Sequence, residues 1–392
     1  MIKMERTEQL EATGREQGAV QPALTKPLRK RNDQMDNLRC LLIFAVVFGH
    51  LLELLMGKGQ NVKLVYLLIY SFHMPLFAFV SGVFAKYDPI RIRNRMIYPY
   101  VIFQTLYLLF ANNVLEKETE MQYTTPYWLL WYLFAMIVWN LVLPLFQIEG
   151  QSIGKKLLLL LFAVVAGILI GFDNKAGYYL SFSRIVEFFP FFLLGVYYRQ
   201  LKSEGWNRTA ALWKHVGGKG KKLLKGILFL LVCAILMELV RQISGNMDEI
   251  RYTWLYGSMS YENADYSWHF RVISMGVALL WLLFFLLWMP AKRIPLISHI
   301  GANTMPVYLL HGFVIKLLDK AEFFDRIAYP KISALLLAVL LVLIFSWTPL
   351  VRALGPLFRW DWGRRGTGAG RKPGFMSKGK FRAGGRKKLT HG

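Results

Sequence analysis

The sequence predicts an all-α, polytopic membrane protein with about ten transmembrane helices and both termini cytoplasmic. Three observations carry that prediction. Apolar residues make up 55% of the 392-residue chain and aromatic residues 15%, and they collect in runs near twenty residues long, the length that crosses a bilayer core as helix. The net charge of +24 gathers in tails and in short loops between those runs. That is the distribution of cytoplasmic loops facing anionic lipid, and it argues against a nucleic-acid surface. The two cysteines, Cys40 and Cys233, both lie inside apolar runs, which leaves neither a disulfide framework nor a C-x-x-C metal spacing.

Taken in order, the expected spans fall near 37–56, 64–84, 96–115, 126–147, 156–172, 185–198, 223–240, 271–289, 302–318 and 332–350. The sixth is short, and the ninth is only moderately apolar. A polar segment, 1–35, precedes them without the form of a cleavable signal peptide, so the first span is expected to direct insertion. The membrane domain then covers 36–350, and a basic cytoplasmic tail covers 351–392. Its last stretch, "GRRGTGAGRKPGFMSKGKFRAGGRKKLTHG", has a Gly, Lys and Arg composition expected to be disordered. With the N-terminus inside, the inner side receives 36 of the 48 Lys and Arg residues, and an even number of spans returns the C-terminus to the same side. No internal repeat of the transporter kind is visible. The outer loop 241–270 is long and rich in aromatic residues. Two readings fit it: closure over a site, or an interfacial aromatic belt.

Chemistry enters with "LRCLLIFAVVFGH" at 38–50, an apolar run that keeps an arginine near its start and a histidine at its end. Eleven residues of helix leave a net rotation of only about 20°, so Arg39 and His50 share a face roughly 16 Å apart along the axis. An extended phosphorylated donor such as an acyl-CoA fits that gap, its phosphates at the guanidinium and its thioester near the imidazole. The packing alternative has Arg39 reaching lipid phosphate and His50 bonding a neighbouring helix. Glu53, three residues past His50 and nearly on its face, either orients the imidazole or is solvated at the outer end of the span.

Other candidates follow the same two-sided pattern. Pro75 removes a backbone donor in the second span and frees a carbonyl at about Ser71. His73 then either satisfies polar groups there or lines the cavity as a second imidazole, and His311 in "YLLHGF" invites the same two readings. Arg91, Arg93 and Arg95 form a cluster between spans two and three, suited to anchoring at the inner leaflet or to holding nucleotide phosphates. Arg184 and Arg271 at outer span ends either hold an acceptor or cap the spans. Trp128 and Trp131 offer aromatic faces to a sugar ring. His215, His299 and His391 receive no role. No Ser-His-Asp order, phosphate-binding loop or dinucleotide fingerprint is present, and no spacing supports a metal site.

The stretches "MDNLRCLLIFAVVFGHLLE", "YSFHMPLFAFVSG", "RIRNRMIYPYVIFQ", "WLLWYLFAMIVWNLVLP", "FFPFFLLGVYY" and "NTMPVYLLHGFVI", in this order from about residue 32 to 350, resemble the membrane-bound acyltransferase family 3, and more closely its fucose 4-O-acetylase-like branch. That branch often carries lysine where this chain has Arg39. The resemblance implies a ten-span enzyme moving an acyl group, usually acetyl, from cytoplasmic acetyl-CoA to a sugar or other hydroxyl. It maps Arg39 and His50 onto the family's Arg-x10-His pair and His73 onto its "FHMP" motif.

The expectation is therefore an O-acyltransferase of the cell membrane acting on a surface carbohydrate or its lipid-linked precursor, with the bilayer as its other partner and neither metal nor nucleic acid. Expected catalytic residues are His50, Glu53 and His73. Donor contacts fall to Arg39, Arg91, Arg93 and Arg95, and acceptor contacts to Trp131, Arg184, Arg271 and His311. Direct transfer and an acyl-histidine intermediate are both open. A transporter using the same intramembrane charges is the rival class. Oligomeric state is not legible.

Overall fold

The computed structural model describes residues 31–146, 150–177, 179–202, 218–246 and 249–360. His215, His391, residues 1–30 of the polar N-terminal segment and the Gly/Lys/Arg-rich stretch lie outside the described residues. Those described form helices and connecting turns, with no strand among them. Twelve α-helices have eight or more residues: α1 Asp33–Glu53, α2 Gln60–Tyr70, α3 His73–Val83, α4 Tyr98–Asn113, α5 Trp131–Val142, α6 Ile153–Leu169, α7 Phe182–Gln200, α8 Gly218–Gly245, α9 Trp268–Trp288, α10 Pro295–Ala302, α11 Thr304–Lys320 and α12 Pro330–Ser346.

Each expected span falls on helix. Seven helical stretches are long and apolar enough to cross a membrane, with α2 and α3 together counted as one of them. Helix α12 is apolar but has 17 residues, and α4 and α11, at 16 and 17 residues, fall outside the seven.

Helix α1 is the core of the bundle. It begins four residues earlier than its hydropathy suggests, because the Asn32 side chain accepts the Met35 N–H and Asp33 and Asp36 sit in the positive first turn. Its apolar window is 67% buried, packed against α2, α3, α10, α11 and α12. The windows of α6 and α8 are only 11% buried, so these two present leucine-rich surface outward, as a helix facing lipid does.

The second span is broken at Ser71 and Phe72, between α2 and α3. The break lies one half-turn before the expected place. The freed acceptor is the Ile69 carbonyl, which takes a hydrogen bond from His73 Nδ1 at 2.9 Å as well as the Phe72 N–H at 3.2 Å. Helices α3 and α7 then meet at backbone distance. A Cβ at Gly82 would collide with the Phe192 carbonyl, and one at Gly195 with the Phe79 carbonyl. Close approach through small residues is how helices associate tightly where lipid supplies no hydrophobic drive.

Beyond α12 the chain does not leave the bundle at 350. Two short helical stretches, Thr348–Ala353 and Gly355–Phe358, each with proline in the first turn, turn it back across the domain. The first ten residues assigned to the tail by composition are thus packed structure.

Candidate active site

The centre of the site is built on one face of α1. Uninterrupted helix from Asp33 to Glu53 keeps Arg39 and His50 on the same side, roughly 16 Å apart along the axis. Both residues line one cavity of about 790 Å³, together with Ile43, Val46, Met74 and Phe77. At the Arg39 end the walls carry Arg91, Arg95, Arg352 and Arg359. Arg39 lies over the Phe84 ring at 4.0 Å, with Asp36 at 3.7 Å. Arg93 does not join this set. Its Nε donates to Asn94 Oδ1 at 2.9 Å on the exposed side, because Arg91 and Arg95, four residues apart, share a helix face that Arg93 does not.

At the other end His50 Nδ1 lies 3.2 Å from Glu53 Oε2. An ionised carboxylate only accepts, so Nδ1 carries the proton and the Nε2 lone pair is left as a base. Glu53 is not the solvated end-of-span residue. Tyr70 donates to its Oε1 at 2.6 Å and Tyr66 at 2.8 Å, which fixes the carboxylate and hence the imidazole plane. Tyr66 and Tyr70 stack at 3.9 Å, an i,i+4 pair on one face of α2.

The long loop after α8 reaches this network. Its 3-10 turn Tyr252–Tyr256 packs on α2, and Tyr256 Oη lies 2.9 Å from Tyr66 Oη. Tyr66 has a single hydroxyl hydrogen, already given to Glu53, so Tyr256 donates in this pair. Burial, with the Glu53 charge nearby, raises the Tyr256 hydroxyl above its ordinary pKa and keeps that donor protonated.

Aromatic rings frame the imidazole. Trp128 lies 4.7 Å from His50 and carries Lys316 4.4 Å over its own ring. It holds a left-handed backbone, φ +38°, a conformation that costs a non-glycine residue about 1 kcal/mol or more. His311 lies 5.6 Å from His50 between ring centroids. Its Nδ1 donates to the Val307 carbonyl at 2.9 Å, and its buried Nε2 has no hydrogen-bond partner among the described residues. Trp131 lines the cavity, and Arg184 lies 4.9 Å over its ring on the far side while bonding the Tyr256 carbonyl.

Besides Arg93, two more expected residues are placed elsewhere. His73 is buried, capping Ile69 and edge-on to Tyr70 at 4.5 Å, and does not line the cavity. Arg271 is not an exposed acceptor contact. It is 1% exposed, lies 3.1 Å from Glu187, and donates to Tyr266 Oη and to the Gly167 and Met259 carbonyls. The buried guanidinium is satisfied there by a carboxylate, two carbonyls and a tyrosine hydroxyl. His299 bonds the Ser346 carbonyl.

Sequence reasoning missed Tyr66, Tyr70, Tyr256, Arg352 and Arg359. The four-residue spacing in "VYLLIY" was a usable signal for the first two. Nothing local in "VRALGPLFRW" indicates a return to the bundle except its proline, Pro356.

An acyltransferase domain matches residues 32–351, about four-fifths of the chain. No curated protein and no solved structure matches it. The match spans every helix that builds the cavity walls up to α12, and the helices are apolar enough for repeated membrane crossing. The chain belongs to acyltransferase family 3 and is a multi-pass membrane acyltransferase.

Proposed function

We propose that the protein transfers an acetyl group from cytoplasmic acetyl-CoA to a hydroxyl of a cell-surface carbohydrate or its lipid-linked precursor. It would do so in the cell membrane, with ten crossings and both termini on the cytoplasmic side. The observation that carries this reading is the single cavity that joins an arginine-lined mouth to His50. Guanidinium groups suit phosphate through a planar donor fork, and the roughly 16 Å separation along α1 suits an extended arm between phosphates and thioester. The sugar acceptor rests on the resemblance to the fucose 4-O-acetylase-like branch and on the aromatic faces of Trp128 and Trp131.

In the mechanism, His50 Nε2 takes the proton from the acceptor hydroxyl as its oxygen attacks the thioester carbonyl. A C–O bond forms, the C–S bond breaks, and the CoA thiolate recovers the proton from the imidazolium. Glu53 stabilises that imidazolium through Nδ1, and Tyr66 and Tyr70 hold Glu53 in place. Arg39, Arg91 and Arg95 bind donor phosphate.

Purified protein in detergent, given acetyl-CoA and an extract of surface glycans, tests this. Release of free CoA that depends on the glycan is expected, with a matching gain of acetyl mass on the acceptor. Absence of CoA release with every hydroxyl acceptor would overturn the donor assignment.

A further inference from the structure

Residues 348–360 lie across the mouth of the cavity, held there by contacts unrelated to any substrate. Phe358 is buried and stacks on Phe103 of α4 at 5.7 Å with the rings 9° from parallel. The Trp360 N–H donates to the Asn94 carbonyl at 2.9 Å, and its ring meets Tyr98 edge-on at 5.2 Å. The two Trp360 ties dock the segment on the same 93–98 stretch that carries Arg95, and the Phe358 stack fixes it to α4 beyond. Docking brings Arg352 and Arg359 into the wall that holds Arg39, Arg91 and Arg95, five arginines in all, and no carboxylate lines the cavity among the described residues. Both added arginines fall beyond residue 351, where the match to the acyltransferase domain ends.

Arg39 belongs to the buried core helix, on the line to His50, and Arg91 is half-buried, whereas Arg95, Arg352 and Arg359 are exposed at the mouth. A donor threaded toward His50 therefore meets the strap with its outermost end. In an acyl-CoA that end is the adenosine with its 3′-phosphate, a monoester with about two negative charges at neutral pH.

We infer that residues 348–360 form a strap whose Arg352 and Arg359 recognise the terminal phosphate monoester of the donor nucleotide, so that the protein distinguishes acetyl-CoA from its 3′-dephospho form. This rests on the acetyl-CoA reading above. Exposed side chains also make the variants tolerable to the fold, since neither arginine fills a core position.

The test compares acetyl-CoA and 3′-dephospho-acetyl-CoA as donors for the full-length protein and for the Arg352→Gln/Arg359→Gln double variant. The native protein should show a KM about tenfold higher for the dephospho donor, the scale of one charge-assisted contact. In the double variant the ratio of the two KM values should collapse toward one, and Arg352→Lys/Arg359→Lys should restore part of it. A native protein that uses both donors equally overturns the inference, as does a double variant that keeps the native ratio. A native protein that transfers acetyl from neither donor instead overturns the acetyl-CoA reading itself, which separates the two failures.

Discussion

Glu53 at the end of α1 and Glu187 within α7 both sit in apolar helices, and their surroundings differ. Glu53 accepts hydrogen bonds from two tyrosines and an imidazole, and that imidazole lines the large cavity. Glu187 faces the guanidinium of Arg271, 3.1 Å away, in a pair with side chains 9% and 1% exposed. A guanidinium is a permanent cation that cannot exchange its proton, so the second pair is fixed in charge. An imidazole held by a carboxylate at one nitrogen can still accept a proton at the other. In the proposed mechanism the first arrangement handles protons; the second ties α7 to α9 and to the 241–270 loop.

Substitutions at the two glutamates and their partners break or sharpen this contrast. The largest effect is expected for His50→Ala, since losing a general base costs about 10²–10⁴-fold in rate. Acyl-transfer assays should show that loss with near-native expression and membrane insertion, and full activity would return His50 to a packing role. Next comes Arg271→Ala, which strands a buried carboxylate and should cost about 3–5 kcal/mol of stability. Thermal unfolding in detergent measures it, and Arg271→Met/Glu187→Leu should recover much of the loss, because an apolar pair leaves no charge unpaired. The recovery distinguishes a tie from an acceptor contact, whose activity the double variant would not restore.

A smaller effect is expected at Glu53→Gln. The amide keeps the shape but removes the charge behind the imidazolium, and the loss of such an orienting partner costs about 10–100-fold in activity. It should fall on kcat with donor KM little changed, as a transition-state interaction does. The smallest is Tyr256→Phe, which removes one neutral hydrogen bond two residues from the dyad. A few-fold loss of kcat is expected, since such a bond contributes about 0.5–1.5 kcal/mol. An unchanged rate in that variant would detach the 241–270 loop from the site.

Helical class, helix positions and the shared face of Arg39 and His50 were legible because each depends on local periodicity: apolar run length, or an eleven-residue spacing on one helix. The ordered motifs pointed to the family for the same reason. What was not legible depends on partners distant in sequence. Arg271 reads as a span-end cation until α6 and α7 supply Gly167 and Glu187 around it. Tyr66 and Tyr256 are 190 positions apart, and no spacing rule links them. The place of the break in the second span was nearly right from Pro75, but the acceptor that His73 satisfies was set by where α2 ends. Arg352 and Arg359 were read as tail charge because hydropathy falls after α12, while the return of the segment depends on aromatic docking to α4.

The account's central claim is that Arg39 and His50, on one face of one helix, do different work: one binds donor and the other carries the chemistry. Steady-state kinetics of Arg39→Ala and His50→Ala over a wide range of acetyl-CoA concentration test it most directly. Loss of one charge-assisted contact, roughly 1.5–3 kcal/mol, should raise the donor KM of Arg39→Ala by about 10–150-fold. Its kcat should stay near native, so that high donor concentration restores the rate. Arg39→Lys should recover part of the affinity through its point charge. His50→Ala should stay slow at every donor concentration. Rescue of His50→Ala by donor, or a donor KM unmoved in Arg39→Ala, would contradict the division of labour.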